Sequence, residues 1–370
     1  MRKSYLDNVR WITVVLVVIY HVIYMYNGVV TAGVLGPFQE VQYQDVFQYL
    51  VYPWFMLLLF VVSGMCARFY LISHTDREFL KARTVKLLVP STIGLFVFQW
   101  ILGYYNMVIA NAFEPMAANA PKFVIYLIMA VSGIGVLWYI QLLWLFCLLL
   151  VLIRKLEKDR LYVKCGKANT LVLLLLTIAI YGSAQILNMP MIVVYRFGIY
   201  GLGFLIGYFI LSHDEVMERL TKWWLPLSVA AVVLGILFAV NYFGQPYAEH
   251  SVLDTPLCNI FAWIAVLAIL AFMSKWGNFQ NAFSRWMSEK SWGLYVFHYM
   301  TLAMCAYYLY IYAPGMPAII CYLLTAVSAF AGGYLLNEII SRIPVLRWCV
   351  LGIRKKERKK GLLDMSNHRN

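Results

Sequence analysis

The chain has 370 residues, of which 63% are hydrophobic and 13% are charged, and its mean hydropathy is +0.73. A soluble domain is about half apolar and about a quarter charged, so this composition excludes a soluble globular protein. A net charge of +13 is compatible with nucleic-acid binding, but the basic residues stand between apolar runs, where membrane proteins carry orientation signals. We therefore predict an all-α polytopic membrane protein without a nucleic-acid partner.

The first apolar run lies between Asp7 and Asn27 and is long enough, at about 20 residues, to cross a bilayer as a helix. It contains two ionisable side chains, Arg10 and His21. They lie close to three helical turns apart, so we expect them on one helix face, about 16 Å from each other. Ionisable residues inside a membrane mark functional sites by default. The alternative is an interfacial arginine and a packed histidine.

Hydropathy predicts about ten transmembrane helices with both termini in the cytoplasm. The predicted spans lie near 10–27, 48–71, 87–110, 137–153, 169–187, 192–211, 223–243, 256–273, 292–312 and 317–340. The segment 122–134 is apolar but short, so we expect an interfacial or re-entrant piece. The start of the chain also resembles a signal peptide, but it lacks a clear cleavage site, which favours an uncleaved first span.

The distribution of charge supports this topology. With the N-terminus inside, 27 of the 30 Lys and Arg residues fall in inside segments; Lys122 falls outside, and Arg68 and Arg196 lie within spans. Such segregation indicates an even number of spans. Residues 1–345 are then the transmembrane domain, and 346–370 are a basic cytoplasmic tail whose run RKKERKK is expected near anionic lipid.

The predicted outside loops at 28–47 and 241–256 have a different character. They carry the carboxylates, amides and aromatic rings of Gln39, Glu40, Gln42, Tyr43, Gln44, Asp45, Phe47, Asn241, Tyr242, Gln245, Tyr247, Glu249, His250 and Asp254. Such groups can hold a polyhydroxylated ligand by hydrogen bonding and ring stacking. The alternative is an ordinary extracytoplasmic surface.

The other polar side chains predicted within spans are few. They are Arg68, Gln99, Gln141, Arg196, His298, Asn337 and Glu338. Ser291, Tyr295 and His298 recur at helical spacing and share one face. Because the predicted span begins inside near residue 292, we expect His298 about 10 Å into the membrane and His21 deeper.

Histidine can accept a proton from a hydroxyl near neutral pH and return it, which suits general-base catalysis. Walker, HExxH and GxSxG motifs are missing, and the seven cysteines have no metal-ligand spacing, so we expect no metal site. Arg10 and the basic loop from Arg77 to Lys86 suit the phosphates of a cytoplasmic donor with a long thin arm, such as a coenzyme A thioester. The alternative for the loop is plain positive-inside charge.

Five sequence elements, spread over most of the chain, resemble those of the acyltransferase family 3 membrane enzymes, which O-acylate exported glycans. They are Arg10 with His21 (R-x10-H), Phe60 to Gly64 (F-x-x-S-G), the basic loop from Arg77 to Pro90, Leu137-Trp138-Tyr139, and Ser291 to His298. Trp292 stands where the family usually has tyrosine, and Val136 where members often have histidine.

The resemblance implies that His21 is the catalytic base and that Arg10 serves the acyl donor. It also suggests roles for a wider set. The acyl-CoA-binding candidates are Arg10, Arg68, Arg77, Arg83, Lys86 and Trp138, and the supporting candidates are Asp7, Ser63, Tyr295 and His298.

The predicted function is therefore transfer of an acetyl- or succinyl-type group from cytoplasmic acyl-CoA to a hydroxyl of an extracytoplasmic carbohydrate, in the cell membrane and without a bound cofactor. A covalent acyl-His21 intermediate is an open alternative. So is a transporter or flippase of a glycan or glycolipid that uses Arg68, Arg196 and Glu338, although no internal repeat is evident. A sensor or scaffold without chemistry is the third alternative.

Overall fold

The computed structural model describes residues 3–29, 33–190 and 192–354, and the regular structure of these residues is helical. In chain order the helices are α1 (Ser4–Tyr24), α2 (Tyr43–Leu71), α3 (Asp76–Ile109), α4 (Phe113–Asn119), α5 (Lys122–Ser132), α6 (Gly135–Glu157), α7 (Arg160–Cys165), α8 (Thr170–Ala184), α9 (Phe197–Leu211), α10 (Asp214–Thr221), α11 (Trp224–Tyr242), α12 (His250–Leu253), α13 (Pro256–Trp276), α14 (Ala282–Tyr312), α15 (Ala318–Arg342) and α16 (Pro344–Leu351).

Eight helices of the described chain are long and apolar enough to cross a membrane: α1, α2, α3, α6, α11, α13, α14 and α15. Each coincides with one of the ten predicted spans. The other two correspond to α8, which at 15 residues is short for a crossing, and to α9, which bends by 98° into α10. The structure thus confirms a multi-pass helical protein, while ten spans and cytoplasmic termini stay predictions.

Local sequence explains where several of these helices begin. Thr75 and Glu78 form a capping box at the start of α3, and Thr255 caps α13 ahead of Pro256. Asn281 caps α14 through the backbone N–H of Ser284. This cap starts α14 ten residues before the predicted span at 292–312, which changes the depth of every side chain on the helix.

Helix α1 lies inside the bundle, packed against α2, α13 and α14. Helix α2, which packs against α1, also approaches α9 closely at two glycines. A Cβ atom at Gly64 would lie 2.0 Å from the carbonyl oxygen of Phe204, and one at Gly207 would lie 2.0 Å from that of Val61. Small residues allow such backbone approach between membrane helices, where packing drives association. Of the two ionisable residues on the shared face of α1, Arg10 is exposed and His21 is partly buried.

The ion pairs of the described residues mark the two ends of the bundle. Those at the end where α1 begins are Lys3–Asp214, Arg68–Asp159, Arg154–Asp76 and Lys290–Glu338. Arg196, Asp254 and His250 form a cluster at the other end. We call these ends the basic face and the opposite face. Lys3–Asp214 and Arg154–Asp76 each join two segments predicted inside, in agreement with the predicted segregation. The other pairs contain Arg68, Arg196 and Glu338, which lie near the ends of their predicted spans.

The predicted boundary between transmembrane domain and tail at residue 345 falls within α16. This helix packs back against α3, and its last residues, Cys349 to Leu351, are buried. The predicted tail is therefore helical and docked over its first part. Residues 355–370, with all but Arg354 of the RKKERKK run, lie outside the described residues.

Candidate active site

Two histidines meet in the middle of the bundle. The ring of His21 on α1 lies beside that of His298 on α14, with 3.2 Å between Nδ1 of His21 and Nε2 of His298. His298 is fully buried, whereas His21 is only partly buried and also packs against Tyr299. The two rings meet where α1 packs against α14.

The hydrogen bonds assign the ring protons. Nδ1 of His298 faces the carbonyl oxygens of Leu294 and Tyr295, at 3.1 and 2.9 Å, so it donates and leaves Nε2 as an acceptor. Nδ1 of His21 lies 2.8 Å from the carbonyl oxygen of Val17 and also faces that acceptor. Nδ1 of His21 therefore carries the proton of that ring. Nε2 of His21 thus keeps its lone pair, and a general base needs such a lone pair to accept a proton.

The prediction that His21 lies deeper than His298 is wrong. His298 is 16 residues from the start of α14 and His21 is 17 residues from the start of α1, so the two rings lie at one level, about 25 Å along each helix. The predicted span began too late because Arg285, Glu289 and Lys290 lower the hydropathy of the first turns of α14.

A cavity of about 190 Å³ opens between α1, α2, α3, α6 and α14 near the basic face. Its walls are formed by Asp7, Arg10, Val14, Leu59, Ser63, Cys66, Arg83, Lys86, Leu87, Tyr139, Leu143, Cys147, Ser288, Ser291, Trp292 and Tyr295. The cations Arg10, Arg83 and Lys86 outnumber the carboxylate of Asp7 in this lining, which favours an anionic ligand.

The cavity points along α1 towards the histidines. Val14 lines it and lies between Arg10 and His21 on the same helix face. Its inner end is formed by Tyr139 and Tyr295, whose ring centroids are 5.9 Å apart. Tyr295 donates a hydrogen bond to the carbonyl oxygen of Val136, and its ring lies 6.2 Å from that of His298. These two tyrosines separate the cavity from the histidine pair.

Six of the predicted site residues thus line this cavity: Asp7, Arg10, Ser63, Arg83, Lys86 and Tyr295. Sequence reasoning treated Trp292 only as a departure from the family pattern, yet it forms part of the wall. Its place beside Ser291, on the helix that carries His298, is the signal that could have identified it. Ser288 and Cys66 were missed as well, and their sequence context offers no comparable signal.

Three predicted donor-binding residues lie elsewhere. The guanidinium of Arg68 donates to Asp159 at 2.7 Å and stacks 3.5 Å from the ring of Tyr162. Arg77 is exposed in the first turn of α3, and Trp138 packs among aromatic rings such as Tyr200. The structure therefore does not bring these three side chains into the basic cavity.

Two further cavities, of about 410 and 520 Å³, lie near the opposite face and share Leu35 and Tyr310. Their walls combine aromatic rings with amides and a carboxylate, including Tyr26, Phe38, Gln39, Gln44, Asn111, Phe113, Glu114, Tyr307 and Tyr310. Tyr26 lies two residues past the end of α1 and five residues after His21, so this aromatic cleft begins about 7 Å beyond His21 along the chain.

A helical membrane bundle with a histidine pair beyond a basic cavity defines a membrane-embedded protein equipped for acid–base chemistry. Within the described residues, no group of three or more His, Cys, Asp or Glu side chains is placed to hold a metal ion. The chain matches the acyltransferase domain of acyltransferase family 3 over residues 3–338. It belongs to this family and is an enzyme that transfers acyl groups. No curated protein and no solved structure matches it.

Proposed function

We propose that this enzyme is an O-acyltransferase of the cell membrane, which moves an acetyl- or succinyl-type group from cytoplasmic acyl-CoA to a hydroxyl of an extracytoplasmic carbohydrate. The observation that carries the proposal is the hydrogen-bonded pair His21–His298, which lies between a cationic cavity near the basic face and an aromatic cleft near the opposite face. In this proposal the basic face is cytoplasmic.

The basic cavity suits the donor. Guanidinium and ammonium groups of Arg10, Arg83 and Lys86 match the phosphates of coenzyme A. The volume of about 190 Å³ is below that of a pocket for a whole drug-sized ligand, so the nucleotide would stay at the mouth and only the thin arm would enter. Tyr139 and Tyr295 would then move apart for the thioester to reach His21.

The cleft near the opposite face suits the acceptor. Sugars present apolar ring faces that stack on aromatic side chains and hydroxyls that bond to amides and carboxylates, as Tyr310, Gln39 and Glu114 supply. A chain of sugars bound there would place one hydroxyl towards His21, because Tyr26 follows His21 by five residues, just past the end of α1.

In the proposed reaction, Nε2 of His21 first accepts a proton and later donates it. Nε2 of His21 removes the proton of the acceptor hydroxyl, whose oxygen attacks the thioester carbonyl carbon. The C–S bond breaks, and the leaving thiolate takes the proton back from Nε2. His298 holds Nδ1–H of His21 throughout and so keeps Nε2 available. Attack by Nε2 itself, through an acyl-His21 intermediate, would need the same free lone pair.

The test is the variant His21→Ala, assayed as purified protein in detergent with labelled acetyl-CoA and a sugar acceptor. We expect turnover to fall by about 10²–10⁴-fold, the usual contribution of a general base, with normal insertion and folding. His74→Ala removes an exposed histidine at the basic face and is the matched control. Near-normal turnover of the His21 variant would refute the proposal. Acyl transfer in detergent, where no compartments exist, would also separate the enzyme from a transporter.

A further inference from the structure

Helix α16 lies beyond the region that matches the family, which ends at residue 338, yet it contacts the basic cavity. The carbonyl oxygen of Leu351, at the end of α16, accepts hydrogen bonds from two cavity-lining side chains. Nε1 of Trp292 donates to it at 3.0 Å and Nζ of Lys86 at 3.3 Å. A segment outside the matched region therefore contacts both a cation and an aromatic ring of the donor cavity.

The electrostatics of this contact are favourable. The last carbonyl groups of a helix lack partners within the helix and carry the negative end of its dipole, so they attract N–H donors and cations. The ammonium of Lys86 also lies 4.1 Å from the ring centroid of Trp292, within cation–π range. The bond to Leu351 uses one of the three N–H groups of that ammonium. Lys86 is thus held between a helix end and an indole ring.

Backbone packing fixes α16 in this place. Gly352 has φ +61°, and a Cβ atom there would lie 2.3 Å from the carbonyl oxygen of Val85 and 2.8 Å from Cα of Lys86. A second close approach joins Gly94 to Cys349, with 2.9 Å between the Cβ position of Gly94 and the carbonyl oxygen of Cys349. Two contacts along α3 therefore align the end of α16 with Lys86.

We propose that α16 and Gly352 are a positioning element for the donor site, which sets Lys86 and Trp292 to receive the phosphate-bearing end of acyl-CoA. This inference rests on the proposed donor. It predicts that the affinity for the donor depends on the segment from Pro344 to Gly352 and not on the basic residues that follow it. Loss of α16 should weaken coenzyme A binding more than it slows the chemistry at His21.

Two truncations of the full chain test this, with coenzyme A itself as the probe in equilibrium binding to the purified protein. A chain ending at Arg354 keeps α16 and should bind within about threefold of the full chain. A chain ending at Ile343 lacks α16 and should bind at least about tenfold more weakly, which corresponds to about 1.4 kcal/mol. Equal affinity of the two truncations, with the full chain binding, overturns the positioning role. Failure of the full chain to bind coenzyme A overturns the donor proposal itself.

A point variant covers the case in which the shorter chain does not fold. Trp292→Phe keeps a ring under Lys86 but removes the N–H that bonds to Leu351. We expect KM for acyl-CoA to rise about three- to tenfold while kcat stays within about twofold. Trp286→Phe, on the same helix but outside the cavity, should leave both constants unchanged. An unchanged KM in the Trp292 variant, or an equal loss of kcat, would contradict a positioning role.

Discussion

The proposed base, His21, has a second histidine as its partner, whereas catalytic histidines more often bond to a carboxylate. Inside a membrane this choice has an energetic reason. A carboxylate at the place of His298 would bury a charge, whereas a neutral imidazole satisfies Nδ1–H of His21 without one. The neutral partner stabilises protonated His21 less, so the proton taken from the acceptor should return readily to the leaving thiolate.

The role of His298 leads to a prediction on turnover. His298→Ala should lower kcat by roughly 10–100-fold, because the imidazole of His21 loses the group that orients it, with KM for acyl-CoA within about threefold. Steady-state kinetics with acyl-CoA as the varied substrate measure both constants. His298→Gln offers an amide oxygen to the same N–H and should retain more activity than the alanine variant. An alanine variant with full kcat would show that the contact is dispensable.

At the scale of helices, much of the fold follows from the sequence because apolar length decides which segments cross a membrane. The depth of His298 could not be predicted from the sequence. Helix α14 begins with a charged, capped segment before its apolar part, and hydropathy does not detect that segment. Arg68 was predicted within the second span and as a donor-binding candidate, and only the fold shows its pairing with Asp159. A local cap decided the first case, and a contact between distant segments decided the second.

The close packing of α2 against α9 gives a prediction on stability. Gly64→Ala places a methyl group 2.0 Å from the carbonyl oxygen of Phe204, and the helices must separate to accept it. We expect a loss of about 1–3 kcal/mol, measured by thermal unfolding in detergent. Gly182→Ala, in α8, is the control because its added methyl group meets no atom within 4 Å; it should be neutral or stabilising by up to about 1 kcal/mol.

On this account, the glycine of the F-x-x-S-G element serves packing, and the neighbouring Ser63 serves the cavity, where its hydroxyl lies 2.9 Å from that of Tyr139. A Gly64→Ala protein as stable as the parent would contradict the packing role.

For the whole molecule, the segregation of ion pairs to two faces implies a defined orientation. Cysteines introduced at Tyr43 and Leu187, which are 76% and 69% exposed, should react with a membrane-impermeant maleimide on intact cells. A cysteine at Leu156, 85% exposed on the basic face, should react only after permeabilisation. The unsubstituted protein is the control, since each native cysteine in the described chain is buried or partly buried.

Labelling at position 187 tests the number of membrane crossings, because Leu187 follows α8, the helix that is short for a span. If Leu187→Cys is labelled from the same side as Leu156→Cys, α8 does not cross the membrane, and the prediction of ten spans is wrong. Labelling from the side of Tyr43→Cys would support ten.

The rings of Tyr139 and Tyr295 at the inner end of the basic cavity have a consequence for the cell that carries this enzyme. On the proposed reaction, a chemical group passes across the bilayer, and the enzyme must not become a leak for protons or salt. With these two aromatic rings as an inner partition, the compartments would be connected only while the arm of the proposed thioester donor holds the rings apart and fills the gap. An enzyme that follows this proposed reaction would then work in an energised membrane without discharging it.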